Sequence, residues 1–337
     1  MEPADTGNNR CQHRRVALHK FGEYSAFTKW GGIVAVAKKL RIYLEDDLRA
    51  DVQAKKHNFF KILTSSFESR GFKVELRGNT VAERMKSAGR NGYSLFHLHD
   101  PFHKNALDVR LAYMYPFWRI EHARWREDYL VSVSKFARDD IPAARAQRFF
   151  EFWQDRLHKQ DVAKSAQTDF VFVPLQGRLL DKRHGQMMCP IDMVKETVIH
   201  ERDRNIIVKL HPKEKYDATE LDALGELTAN ARVQISEAPT GDLLKNCAYV
   251  VTENSGVAFK GLTYEKPAIA FGRTDFHHII QSVEQVGSAA AFENVLKGKP
   301  DYAKYFYWFL QLNCINAGRA DAGDRIIETC RNLGWEI

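Results

Sequence analysis

Two doubly wound α/β units in series are the fold class that this sequence predicts, and three observations predict it. Short apolar runs alternate with helical spacings from Arg41 to Leu157. A second alternating set opens at Phe170. The polar stretch from His158 to Thr168 separates the two. Strand–helix alternation of this kind builds open, mostly parallel sheets covered by helices. A chain of 337 residues has room for two such domains.

The elements follow in order. Residues 1–40 form an N-terminal extension in which Tyr24, Phe27, Trp30, Ile33 and Val34 fit one face of a short amphipathic helix. Such a face packs on the body of the protein or touches a membrane. The first domain, 41–160, starts with a strand at Ile42 to Leu44 that ends in Glu45-Asp46-Asp47. Phe59, Phe60, Leu63 and Phe67 give Asn58 to Ser69 a helical spacing, with Gly71 as its stop. A strand at Phe72 to Leu76, a helix at Val81 to Ala88, a strand at Tyr93 to Leu98 and a helix at Arg145 to Leu157 complete it. The second domain, 168–300, carries strands at Phe170 to Pro174, Ile206 to Leu210, Val233 to Ile235, Tyr249 to Thr252 and Ala268 to Phe271. Helices fit between them at Ile191 to Glu201, Leu221 to Thr228, Asp242 to Asn246 and Gly256 to Tyr264. Residues 301–337 read as a helical tail, Tyr302 to Leu312 and Ala322 to Leu333, able to cross back to the first domain.

Composition narrows the class. A net charge of +7 suits an anionic ligand or a membrane surface. No zinc finger, basic zipper or RNP-like aromatic strand supports nucleic-acid binding. Cys11, Cys189, Cys247, Cys314 and Cys330 are scattered without a C-x-x-C pair, which speaks against a zinc ribbon or a disulfide framework and suits a reducing cytoplasm. The start, Met-Glu-Pro-Ala-Asp, lacks the basic-then-apolar order of a signal peptide, and the apolar run Ile33 to Ala37 is too short to span a bilayer. The expectation is a cytoplasmic protein, at most peripheral to a membrane.

Open α/β sheets bind ligands beyond the carboxyl ends of their strands. In the second domain those ends carry Gln176, Lys209 with His211 and Pro212, Thr252-Glu253-Asn254-Ser255-Gly256, and Gly272-Arg273. Lys209 and His211 are two apart and share a strand face, while Pro212 ends the pairing. The Asn254-Ser255-Gly256 turn offers a hydroxyl and free amides at a helix start, where negative charge is favoured. Together these groups fit a nucleotide phosphate. The plainer reading makes Ser255 a helix cap and His211 a turn residue. In the first domain, His97-Leu98-His99-Asp100 with His103 nearby resembles a zinc cluster and hence a metal-dependent hydrolase. The H-x-H-x-D-H spacing is not met, and the same loop fits the acceptor side of a cleft.

The runs "FVFVPLQ", "IIVKLHP" and "YVVTENSGVAFKGLTYEKPAIAFGR", followed by Asp275-Phe276, resemble the C-terminal half of capsule polysaccharide synthesis proteins, the Kdo-transferase-like glycosyltransferases of bacterial capsule export. The likeness spans residues 169–280. The His-Pro pair and the serine-bearing turn are also similar to those of bacterial sialyltransferases that use CMP-sugars. The resemblance implies a GT-B architecture, two α/β domains with a tail that crosses back; sugar epimerases share that layout, so fold alone names no activity. It further implies transfer of Kdo or a related acidic sugar from a CMP-activated donor to a glycan or glycolipid acceptor, without a metal. His211, Ser255 and Lys209 would hold the phosphate together with Asn254 and Gly256, and Glu253 and Gln176 would contact the nucleotide or sugar. Glu265-Lys266-Pro267 stands where the family has Gly-Lys-Pro, and the second hydroxyl of the turn is replaced by Asn254 or displaced to Thr252.

The family's acidic-acidic-Gly motif has its nearest counterpart in "FWRIEHARWRED", with Glu121 in the first acidic position, His122 in the second and no glycine. A carboxylate there would deprotonate the acceptor or stabilise an oxocarbenium-like centre. Asp100 competes for that role, as do Glu45, Asp46 and Asp47, and Glu121 fits equally well as a salt-bridge partner of Arg119 or Arg124. Two alternative functions stand beside the transferase: a non-enzymatic capsule-assembly or interaction protein on the same scaffold, and the His97/His99 hydrolase.

Overall fold

The computed structural model describes residues 36–158 and 170–337. The aromatic face read from Tyr24 to Val34, and the polar stretch after His158, lie outside the described residues.

The first half runs β1 (Lys39–Leu44), α1 (Asp46–Gln53), α2 (Asn58–Glu68), β2 (Lys73–Gly78), α3 (Val81–Met85), β3 (Tyr93–His97), β4 (Ala106–Leu111), β5 (Phe117–Glu121), α4 (Leu130–Val133) and α5 (Ala143–His158). Helix α2 forms because its apolar positions recur on one face; Phe59, Phe60, Leu63 and Phe67 are all buried. Phe59 lies parallel to Trp118, ring centres 4.5 Å apart, and burying such a ring contributes roughly 1.5–3 kcal/mol. Strand β4 escapes the sequence reading because Asp108 and Arg110 interrupt its apolar run, and β5 because Arg119 and Glu121 interrupt its own. The structure buries β4 by pairing Asp108 with Arg110 at 3.0 Å, with Asp108 fully buried.

The second half runs β6 (Phe170–Pro174), α6 (Pro190–His200), β7 (Asn205–Lys209), α7 (Ala218–Leu227), β8 (Val233–Ile235), α8 (Thr240–Asn246), β9 (Tyr249–Thr252), α9 (Gly256–Gly261), β10 (Ala268–Ala270), β11 (Gln281–Ser282), α10 (Val283–Val286) and α11 (Ser288–Asn294). Its sheet is ordered β11-β10-β9-β6-β7-β8, and every pair is parallel. Its central strand β6 is covered on both faces and is apolar throughout: Val171 and Val173 enter one core and Phe172 the other.

The tail comprises α12 (Tyr302–Phe306), a π-helical turn at Tyr307–Leu312, β12 (Ile315–Asn316) and α13 (Ala322–Asn332). It returns to the first half: β12 pairs antiparallel with β5, giving the sheet order β12-β5-β4-β3-β1-β2. Ile326 and Ile327 of α13 join the core under α2. Two Rossmann-like sheets with a returning tail make the GT-B architecture. A core shared by the halves joins Phe117, Phe150 and Trp153 to Phe259, Tyr305 and Phe309. Among the described residues no helix is long and apolar enough to cross a membrane. Cys189, Cys247, Cys314 and Cys330 are free thiols.

Candidate functional site

Strands β9, β6 and β7 are neighbours in that order, so the segments leaving their carboxyl ends emerge side by side. Asn254, Gln176 and His211 come from those three segments, and all three line one cavity of about 500 Å³. The opposite wall belongs to the first half, through His97, Leu98, Leu111, Tyr113 and Arg126. A second cavity of about 400 Å³ adjoins it and shares Tyr113, Arg126, Gln176 and Asn254. Arg110, Arg183 and Arg273 add cations to that compartment, His184 adds an imidazole, and Glu127 is the carboxylate in its wall.

Each side chain is set locally. The His211 amide donates to the Tyr216 hydroxyl at 3.1 Å, and His211 Nδ1 accepts from the Lys213 amide at 3.3 Å. An accepting Nδ1 places the hydrogen of the neutral ring on Nε2, which makes Nε2 a donor for an oxygen. Ser255 is buried; its Oγ accepts from the Val257 amide at 3.2 Å, capping α9, and its own amide donates to Thr252 Oγ1 at 3.2 Å. The plainer reading of Ser255 as a cap therefore describes its hydroxyl, although the residue also lines the cavity. Gly256 is required by closeness: a Cβ there would lie 2.9 Å from Tyr113 Cδ1.

Several sequence expectations need correction. Lys209 does not line the cleft with His211; its ammonium turns to Glu237 at 3.9 Å. Glu253 faces neither cavity. It is buried behind the turn, neither carboxylate oxygen has a hydrogen-bond partner among the described residues, and burial pushes its carboxyl up to about 8 against the pull of Arg183 and Lys182. Glu121 lines neither of these two cavities. It is buried with Arg119 at 3.3 Å and accepts from the Leu130 amide at 3.2 Å, because strand periodicity puts residues 119 and 121 on one face. Asp100 is exposed on the loop after β3 and lines neither cavity. Glu45 and His97 pair at 2.7 Å, and Asp46 pairs with Arg49 at 2.9 Å. His103 meets Ser87 at 2.9 Å. No group of three or more metal-ligating side chains forms among the described residues.

Glu127, the carboxylate that lines the cleft beside Arg126, is not among the residues the sequence singles out. Glu127 lies six residues beyond Glu121 in the same "FWRIEHARWRED" run, next to Asp128. The adjacent acidic pair was the available signal. Glu127 Oε1 sits 3.0 Å from His184 Nε2, and the His184 ring stacks on Trp125 with centres 4.0 Å apart.

A family model described as "Capsule polysaccharide biosynthesis protein" matches residues 134–313, more than half of the chain. The chain belongs to this family. The match takes in the whole second half and the strand-end groups of the cleft. Among solved structures, the chain is similar to Thermosulfurimonas dismutans KpsC, beta Kdo 2,7 transferase, with a TM-score of 0.53, 14% identity, and coverage of 88% of this chain and 100% of that one. It is also similar to the KpsC beta Kdo 2,4 transferase of the same organism (TM-score 0.42, 11% identity, 79% and 88% covered). A third is the Methanocaldococcus jannaschii UDP-GlcNAc 2-epimerase (TM-score 0.36, 14% identity, 87% and 99% covered). No curated protein sequence matches the chain.

Proposed function

We propose that the chain is a glycosyltransferase of capsule assembly. It moves Kdo or a related acidic sugar from a CMP-activated donor to a surface-polysaccharide or glycolipid acceptor, working in the cytoplasm at the inner face of the membrane. The observation that carries this reading is the two-walled cleft, with His211 and the Asn254-Ser255-Gly256 turn on one side and Arg126 and Glu127 on the other. Membership of the capsule family, and the shared fold with a protein described as a Kdo transferase, support it.

In this reading the donor phosphate sits against His211 and the 254–256 turn. The bond between the anomeric carbon and the phosphate oxygen breaks, and its electron pair stays on the nucleotide phosphate. His211 Nε2–H donates to that oxygen, a preorganised contact that strengthens as charge develops. Protein donors take the place a metal would fill. Glu127, beside His184, accepts the proton of the attacking acceptor hydroxyl as the new glycosidic bond forms.

Calorimetric titration with CMP, UDP and GDP tests the donor, and CMP is expected to bind best. His211→Ala should lower turnover roughly 100-fold or more while the melting temperature of the free protein stays unchanged. Tighter binding of UDP or GDP would overturn the CMP assignment. Failure of all three to bind at millimolar concentration would favour a non-enzymatic role in capsule assembly.

A further inference from the structure

The two halves meet in the cleft through Tyr113. This residue follows β4 and adopts φ +62°, a left-handed conformation that a bulky side chain holds only when its surroundings fix it. The ring is fixed on three sides. Phe259 of α9 lies against it at 4.4 Å and 16°. Its edge sits over Gly256, where a Cβ would be 2.9 Å away. Its hydroxyl donates to Asp275, which is fully buried in the second half. On top of the ring lies the guanidinium of Arg126, 4.0 Å from its centre.

The result is a first-half cation carried beside the Asn254-Ser255-Gly256 turn of the second half. Arg126 lines both cavities. Its Nη1 stands 3.8 Å from Asp275 Oδ2, and neither atom has a hydrogen-bond partner among the described residues. The ion pair holds the guanidinium in place without using up its five N–H donors. Lys209, the cation the sequence offered for the phosphate, turns instead to Glu237.

We infer that Arg126 is the phosphate-binding cation of this site, delivered across the cleft on the Tyr113 ring, and that Asp275 is its positioning residue. The inference rests on the nucleotide-sugar reading of the cleft and adds the group that neutralises the leaving phosphate. When the bond from sugar to phosphate breaks, the electron pair remains on the phosphate oxygen and Arg126 keeps its proton; a guanidinium remains charged throughout. Because the cation and the turn come from different halves, the phosphate site is built only when both halves contribute to it.

The test compares CMP with cytidine, which lacks the phosphate, on the parent chain, Arg126→Gln, Arg126→Lys and Asp275→Asn. Arg126→Gln should weaken CMP about 10- to 100-fold, the loss of a charge-assisted contact, and leave cytidine unchanged. Arg126→Lys should recover part of the loss. Asp275→Asn should weaken CMP by a smaller factor, again without touching cytidine. If Arg126 were only a latch between the halves, Arg126→Gln and Asp275→Asn would lower the melting temperature alike while the folded proteins bound CMP as the parent does; that result overturns the assignment and leaves the transferase reading intact. If Arg126→Gln fails to fold, Arg126→Lys decides: a CMP affinity equal to the parent's, at twice the salt as well, overturns the assignment. If UDP or GDP is the nucleotide that binds, the same comparison with uridine or guanosine judges Arg126. Absence of binding by the parent to any nucleotide overturns the reading of the cleft and Arg126 with it.

Discussion

Glu121 and Glu253 occupy matching places in the two halves. Each lies at the carboxyl end of a strand, β5 or β9, and each is 3% exposed. Their surroundings differ. Glu121 has Arg119 at 3.3 Å and the Leu130 amide at 3.2 Å, and Arg119 in turn lies over Phe309 of the tail, 4.6 Å from the ring centre. Glu253 has no hydrogen-bond partner among the described residues and is held mostly in its neutral form by burial. The first half uses its buried carboxylate to tie strand, loop and tail together. The second half keeps a carboxyl behind the wall of the cleft at the expense of its own stability. Depth of burial alone therefore does not tell a structural acid from one beside a site; the partners do.

Substitution can break this comparison, and the largest effect is expected at Glu121. Glu121→Ala leaves the Arg119 guanidinium buried and unpaired, which should lower stability by about 3–5 kcal/mol in urea unfolding. The CMP affinity of the molecules that remain folded should match the parent's; a specific loss of binding would return Glu121 to the site.

Glu253 should respond in the opposite sense and only at higher pH. Its carboxyl titrates near 4.3 in the unfolded chain but near 8 in the folded one. As pH rises from about 4 to 8, the unfolded state gives up this proton and the folded state retains it, so its contribution to stability falls across that window and is constant above it. Glu253→Gln lacks the titration. The stability of the variant relative to the parent should therefore grow by about 4 kcal/mol between pH 4.5 and 8, read from unfolding curves at a series of pH values. A flat difference would mean that the carboxyl finds a partner in solution.

The smallest effect sharpens the comparison within the second half. Lys209 is also buried along most of its side chain, but its partner Glu237 is 90% exposed. Such a pair contributes about 1 kcal/mol or less, so Lys209→Ala should change stability little and leave CMP affinity as it is. A large loss of affinity would restore Lys209 to the phosphate site.

Much of the fold is legible in the sequence, and the misses have physical causes. The strands at Phe170 and Tyr249 are largely apolar runs buried on both faces, and their ends match the reading, as do those of the short strand at Val233. Helix α2 is legible because Phe59, Phe60, Leu63 and Phe67 keep a helical spacing. Strand β4 is hidden by Asp108 and Arg110, charges that look exposed until their 3.0 Å pairing is known. Helix α1 is hidden because Val52 is its one buried residue. Strands β11 and β12 have two residues each, too few for any period to register.

The sequence by itself determined the two alternating halves, the strand-end groups His211 and Asn254 to Gly256, and the likeness to capsule synthesis proteins. These are local features, carried by periods of two and 3.6 residues and by short motifs. Only the tertiary structure decided that Glu127 rather than Glu121 faces the cleft, that Lys209 turns to Glu237, and that Arg126 rides on Tyr113 beside the serine turn. Those outcomes depend on contacts such as Tyr113 with Asp275, 162 positions apart. Local spacing carries no record of which distant carboxylate, ring or carbonyl will meet a given charge.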